Sequence, residues 1–309
     1  MTIQTINLND ALDLSARFLK VSCPISSIGN SKQLKDVAAE VEVSKGATVG
    51  KAVKAGKWLY DPDKIAPVTK AANALRTKHR ELTSVWNDSS WRLLPTGKWF
   101  DYGIAMNPLI AQFDQAVSEL AAQFDMLIVD AEDRLGTLFN RDDYPNDAAE
   151  FRVKFRAEVL QEPLPKIEDA SRVSLPIEEL EAMKRSMERA YADNIARVQA
   201  ENFSRLYDVA KALRDSLDKF SRGEQKTVHA TMLETIEKAC SYCNEFNLSG
   251  DSHLSALVED MRNSLTQYTM EEVRADPVKL GEVAAAATSA MSKAAARKAA
   301  MANMSGYMN

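Results

Sequence analysis

The sequence predicts a mainly α fold: a long antiparallel helical hairpin with additional packed helices and a small N-terminal β-hairpin. Three observations carry this. From Ile177 to Phe220, 44 residues contain neither Gly nor Pro, and apolar side chains recur through them every three or four positions, the period of one helix face. Gly (11) and Pro (10) are sparse in 309 residues, below the average usage of about 7% and 5%. Asp61-Pro62, Asn107-Pro108 and Tyr144-Pro145 each place a proline where a helix starts, a position at which its missing N–H costs nothing.

Taken in order, Leu8 to Lys20 reads as a first helix capped by Asn7 or Asn9, with Leu8, Leu12 and Leu19 on one face. Val21 to Ile28 alternates and ends at Gly29-Asn30, a strand and turn, with Pro24 confining it to an edge. Val37 to Val43 fits a short strand or a helix end, and the two segments are candidates to pair. Ser44 to Lys57, with three glycines and four lysines, reads as a surface loop or poor helix. A helix follows to about Leu82. Ser84 to Tyr102, holding Trp86, Trp91 and Trp99, is a structured crossing segment whose tryptophans anchor a connection onto helices; base stacking is the alternative.

Asn107-Pro108 is expected to cap a helix to about Phe139, and Tyr144–Asp147 a shorter one, Ala148 to Leu160, stopped by Pro163 and Pro165. Ser174, Pro176 and Glu178 open the long helix, which at about 1.5 Å per residue spans roughly 65 Å. Gly223 ends it, and Lys226 to Phe246 folds back antiparallel. Asn247–Gly250 is a helix stop, helices follow at His253–Leu265 and Pro277–Met301, and Ser305–Asn309 is expected to fray. The expected domains are 1–60 (β element and basic loop), 61–165 (helices and Trp-rich crossing) and 166–309 (hairpin and Ala/Met-rich helix).

Hydrophobic content of 45% with 27% charged residues is ordinary for a globular protein. No basic region leads into an apolar stretch at the start, and Val283–Ala290 is far short of a membrane span. Three cysteines, an odd count, point to a reducing compartment. A cytoplasmic location without membrane attachment is therefore expected. Residues 31–80 hold eleven Lys/Arg against five Asp/Glu, a net of +6, so the rest of the chain sums to −11. Such a segment either binds a polyanion or pairs with acidic surface of the same or a neighbouring subunit.

No residue pattern specifies a chemistry. Gly46-Ala-Thr-Val-Gly50-Lys51-Ala52 departs from a phosphate loop: the glycine gap is three residues where four are needed, and Ala52 lacks the hydroxyl that would hold Mg²⁺. Cys240 and Cys243 form a C-x-x-C inside a helix with no second pair at zinc spacing, so small buried hydrophobes are the expected role. His79, His229 and His253 stand apart from any nucleophile motif. Asp61/Asp63 and Asp142/Asp143 fall at turns, where carboxylates cap helices. No catalytic, cofactor-binding or metal-binding residue is expected, and no cofactor.

Lys57-Trp-Leu-Tyr-Asp-Pro62, Trp91-Arg-Leu-Leu-Pro95 before a long helix, Tyr144-Pro145 with Phe151 and Phe155, Pro163-Leu-Pro165, the hairpin and Asn247-Leu-Ser-Gly-Asp251 follow one another across residues 50–290. In these motifs the chain resembles a family of uncharacterised phage and bacterial helical proteins encoded beside a MoxR-type AAA+ ATPase and a von Willebrand factor A-domain protein like the cobalt chelatase subunit. The resemblance implies a helical partner or adaptor of such a module, phage-encoded, with no enzymatic residues to carry over. The expected function is a non-enzymatic interaction protein in the bacterial cytoplasm, with a homo-oligomer admitted. Two alternatives remain: nucleic-acid binding through Lys45, Lys51, Lys54 and Lys57, or a self-assembling phage structural or anti-defence protein.

Overall fold

A computed structural model describes residues 14–87 and 90–306. The elements run β1 (Phe18–Ser22), β2 (Ile25–Ser26), β3 (Ser31–Gln33), α1 (Lys35–Ser44), β4 (Gly56–Trp58), α2 (Pro62–Leu82), β5 (Ser84–Val85), β6 (Arg92–Pro95), α3 (Trp99–Ala122), α4 (Phe124–Leu135) and α5 (Ala148–Arg152). After these come β7 (Arg156–Ala157), β8 (Leu160–Pro163), α6 (Ile177–Ser221), α7 (Thr231–Glu245), α8 (Ser252–Leu265), α9 (Met270–Ala275) and α10 (Pro277–Gly306). The fold is mainly α with small antiparallel sheets. Among the described residues no helix is long and apolar enough to cross a membrane.

The chain divides into two compact units, and neither is one continuous segment: Met1–Lys20, Thr83–Gly97 and Glu162–Asn309 form one, Val21–Leu82 and Lys98–Gln161 the other. The division into 1–60, 61–165 and 166–309 does not coincide with them, because the expected boundaries follow chain order while the contacts do not.

In the first unit α6 is unbroken from Ile177 to Ser221. Glu178 and Glu179 complement the dipole at its start, and Gly223, at φ +73°, turns the chain out of it. Lys211–Asp215 (2.6 Å) and Arg222–Asp218 (2.7 Å) brace its outer face one turn apart. Its inner face buries Ile195, Val198, Phe203, Leu206, Ala210, Leu213 and Leu217. α7 runs antiparallel to it, with Cys243 and Phe246 opposite Asn202. α7 begins at Thr231, five residues later than the periodicity implies, and 222–230 form a longer turn held by Gln225 on Ser216 (3.1 Å).

α8 returns antiparallel to α7, as Arg262 bonds Glu237 (2.6 Å) and Cys240 faces Val258. α10 then descends along both α8 and α6, with Lys293 on Asp260 (2.6 Å) and Arg297 on Asp251 (3.4 Å). The expected two-helix hairpin is thus half of an up-down-up-down four-helix bundle. The alanines of α10 explain its place: Ala287, Ala290 and Ala294 are buried and let its axis come close to α6.

In the second unit α2 packs on α3, while Tyr60, Phe124, Tyr144, Phe151 and Phe155 build an aromatic core with ring centroids 5.1–5.3 Å apart. β3 and β4 pair antiparallel, Ser31 opposite Trp58 and Gln33 opposite Gly56, and so close a finger that holds α1 and the lysine-bearing loop.

Several elements differ from expectation. The start of the Leu8–Lys20 helix lies outside the described residues; residues 14–17 are helical, but Phe18 enters β1, which lies between β6 and β8 in a four-stranded sheet. Strand pairing there overrides the helical period. Val37–Val43 is helix, so the expected pairing with Val21–Ile28 does not form; β2, starting just after Pro24, pairs with β7 instead. The helix expected from Asn107 starts eight residues earlier, at Trp99, and runs through Pro108, which faces solvent, so the carbonyl it leaves free meets water. It then breaks at Gln123. Helix 148–160 stops at Arg152, and its remainder becomes β7 and β8. The last residues, 307–309, lie outside the described residues.

Candidate functional site

The Gly46–Lys51 loop is closed by its own helix. Glu42 faces inward on α1 beside Ala38 and is fully buried. Its carboxylate accepts the backbone N–H of Gly50, of Ala52 at 2.7 Å and of Val53 at 2.8 Å. Gly46 and Gly50 supply the positive φ, +67° and +78°, that turns those amides inward. The donors that a phosphate would need are thus taken by a carboxylate of the same chain. These bonds, the Gly50 one foremost, hold the Glu42 pKa below the ordinary carboxylate value.

Of the four lysines proposed to bind nucleic acid, Lys45, Lys51 and Lys54 are exposed on this loop. Lys57 is not. It is buried on β4, where its Nζ lies 2.6 Å from Asp143 Oδ2 and donates to the Leu138 carbonyl. Lys32, its register partner on β3, also reaches Asp143. Buried and paired in this way, Lys57 does not offer its ammonium to a phosphate, contrary to expectation, and Asp143 is its partner rather than a turn cap. Alternation gave the one available signal, since Lys57 sits between outward-facing Gly56 and Trp58.

Cys240 and Cys243 are buried, their Sγ atoms facing the carbonyls of Val258 (3.9 Å) and Asn202 (3.5 Å). Burial pushes the Cys240 thiol up to about 11 and Cys243 higher still. His253 is exposed in the first turn of α8, and its backbone N–H is capped by Asp251 (2.8 Å). Among the described residues no group of three or more His, Cys, Asp or Glu side chains is placed to hold a metal ion.

One polar cluster has no sequence signature. Glu201 on α6 accepts from the Val85 N–H (2.7 Å), Ser84 Oγ (3.1 Å), Arg92 (3.2 Å) and Arg205 (2.9 Å). The Arg205 guanidinium lies 3.7 Å over the Tyr242 ring, and the Tyr242 hydroxyl donates to the Thr83 carbonyl. Burial alone would raise the Glu201 pKa; the Val85 N–H and the two arginines outweigh it and lower it. The group is saturated and ties the β5–β6 crossing to the bundle. Trp86 does the same by packing edge-on to Tyr191 at 5.2 Å, and Trp91 lies under the Lys20 ammonium.

The outer surface is different. Phe100 and Ile104 stand one turn apart on α3, 81% and 74% exposed. They overlook a groove of about 410 Å³ whose walls include Trp99, Gly103, Met106 and Val159. Sequence reading misses this surface, because it leaves Phe100 in the crossing segment and starts the helix only at Asn107, eight residues after its true start at Trp99.

Fold and site together define a mainly α protein in which the buried Glu42, Lys57 and Asp143 are matched within the chain and large apolar side chains such as Phe100 and Ile104 stand exposed on a helix. No protein-family model matches the chain, and neither a curated protein nor a solved structure matches it.

Proposed function

We propose that this chain is a non-enzymatic interaction protein, an adaptor that works with a AAA+ ATPase of the MoxR type and a von Willebrand A-domain protein in the cytoplasm of a phage-infected bacterium. The partners are those implied by the resemblance of residues 50–290 to proteins encoded beside such a pair. The observation that carries an interaction role is the Phe100–Ile104 surface. Two large apolar side chains held open on a rigid helix over a groove are what a partner's hot spot needs.

The test uses the purified full chain, with the ATPase and the von Willebrand protein encoded in the same genome, in biolayer interferometry. Wild type binds, and Phe100→Glu with Ile104→Glu loses binding while its helical circular dichroism is unchanged. Absence of wild-type binding to both proteins, or undiminished binding by the double variant, refutes the reading.

A further inference from the structure

Two faces of the second unit, apart from the Phe100 groove, are opposite in charge and alike in apolar content. The first is the finger. From Val43 to Ala55 it has no acidic residue, and Lys45, Lys51 and Lys54 are all exposed. Val43 and Val49 stand among them, 68% and 55% exposed. The nearest carboxylate in sequence, Glu42, is buried under the loop and spends its oxygens on backbone N–H groups. The lysines are thus displayed on a latched loop, and none has a carboxylate partner among the described residues.

The second face is on α4. Asp125, Met126, Val129, Glu132 and Asp133 recur at helical spacing and fall within one face of about 120°. Met126 and Val129 are 64% and 59% exposed, and the three acids are exposed with no cationic partner among the described residues. Neighbouring Asp130 pairs instead with Arg134 (3.7 Å).

We infer that the finger of one copy docks on the α4 face of a second copy of this chain. Three lysines meet three carboxylates, and Val43 and Val49 meet Met126 and Val129. A nucleic acid satisfies the lysines alone and leaves the exposed valines without a partner. Each copy carries both faces, so a two-fold pair makes the contact twice. This contact also gives the basic 31–80 segment a place in an acidic protein.

The experiment follows the mass of the full chain by light scattering and sedimentation. Wild type sediments above its 34.2 kDa monomer at 0.15 M salt, and its self-affinity falls roughly tenfold at 1 M salt, where screening shortens to about 3 Å. Variant one carries Lys45→Glu, Lys51→Glu and Lys54→Glu; variant two carries Asp125→Lys, Glu132→Lys and Asp133→Lys. Each alone is monomeric, since its faces now repel. An equimolar mixture associates, because each acidic face again meets a basic one, and that restoration also shows that both variants are folded. A monomeric wild type at 100 µM overturns the inference, as does association of either variant alone or a mixture that stays monomeric. Association of wild type only with co-purifying nucleic acid, abolished by nuclease, overturns it in favour of the polyanion reading.

Discussion

Lys57 Nζ lies 2.6 Å from Asp143 Oδ2, and the two side chains are 3% and 2% exposed. Burial alone would raise the Asp143 carboxyl, but hydrogen bonds from Lys32 and Lys57 outweigh it and bring its pKa below the ordinary value. The pair ties β4 to the turn before Tyr144, whose hydroxyl in turn donates to the Leu59 carbonyl (2.9 Å). A charge left alone there has no water to turn to.

Removing one partner is therefore expected to be costly. Asp143→Ala should lower unfolding free energy by about 3 kcal/mol, the scale for an uncompensated buried charge. Lys57→Met combined with Asp143→Leu should cost clearly less than that single change. Urea titration followed by circular dichroism measures both, and equal losses would contradict the ion-pair account.

Glu42→Gln should loosen the finger without unfolding the protein. A neutral amide replaces one acceptor oxygen with a donor, so with its remaining oxygen on the N–H groups of Ala52 and Val53 the Gly50 N–H loses its partner. Limited trypsin digestion should cut after Lys51 and Lys54 roughly tenfold faster, the effect of losing about one local hydrogen bond. Unchanged cleavage would mean that the carboxylate does not latch the loop.

Acid should destabilise the fold in a defined window. The pKa values of Glu42, Asp143, Glu201 and Glu272 are lowered in the folded state, Glu272 to about 2 by the Thr269 N–H and then Lys279. Groups lowered on folding add stability above their unfolded values, about 3.9 for Asp and 4.3 for Glu, and lose it as pH falls through the folded ones. The urea midpoint should stay flat from pH 7 to about 5 and drop from about 4 downward. A midpoint that rises on acidification would contradict the sign.

The two ends of α6 should differ in sensitivity. Leu213 is fully buried in the bundle, whereas Met183, 36% exposed, precedes the residues that α7 and α10 cover. Leu213→Ala should cost about 3 kcal/mol and Met183→Ala less than about 0.5 kcal/mol. Thermal and urea unfolding decide it, and comparable losses at the two sites would show the bundle extending further along the rod.

The long helix is legible because its signals are local: Pro176 before it, Gly223 after it and an unbroken period between. The fourth bundle helix is legible as a helix but not as its neighbour, since nothing in 277–301 names α6. Phe151 and Phe155 share helical spacing, yet the chain after Arg152 turns into strands whose partners are more than a hundred residues away. The Glu42 latch escapes sequence reading because its donors are backbone atoms, which every residue has. Lys57 escapes it because Asp143 is remote in sequence. The three lysines left on the finger are legible, but their meaning is not: charge along a chain does not tell which carboxylates have been folded away.

The first unit is assembled from three separated stretches, and this sets an order during synthesis. Phe18 packs on Phe246 at 5.8 Å, and α10 lies against α6, so although β6 and β8 emerge sooner, the Phe18 ring must wait for this partner while more than two hundred residues follow it from the ribosome. At about 5–20 residues per second the wait lasts some tens of seconds. The second unit, complete in sequence at Gln161, emerges entire within that interval and has the chance to fold before the bundle of the first unit is complete.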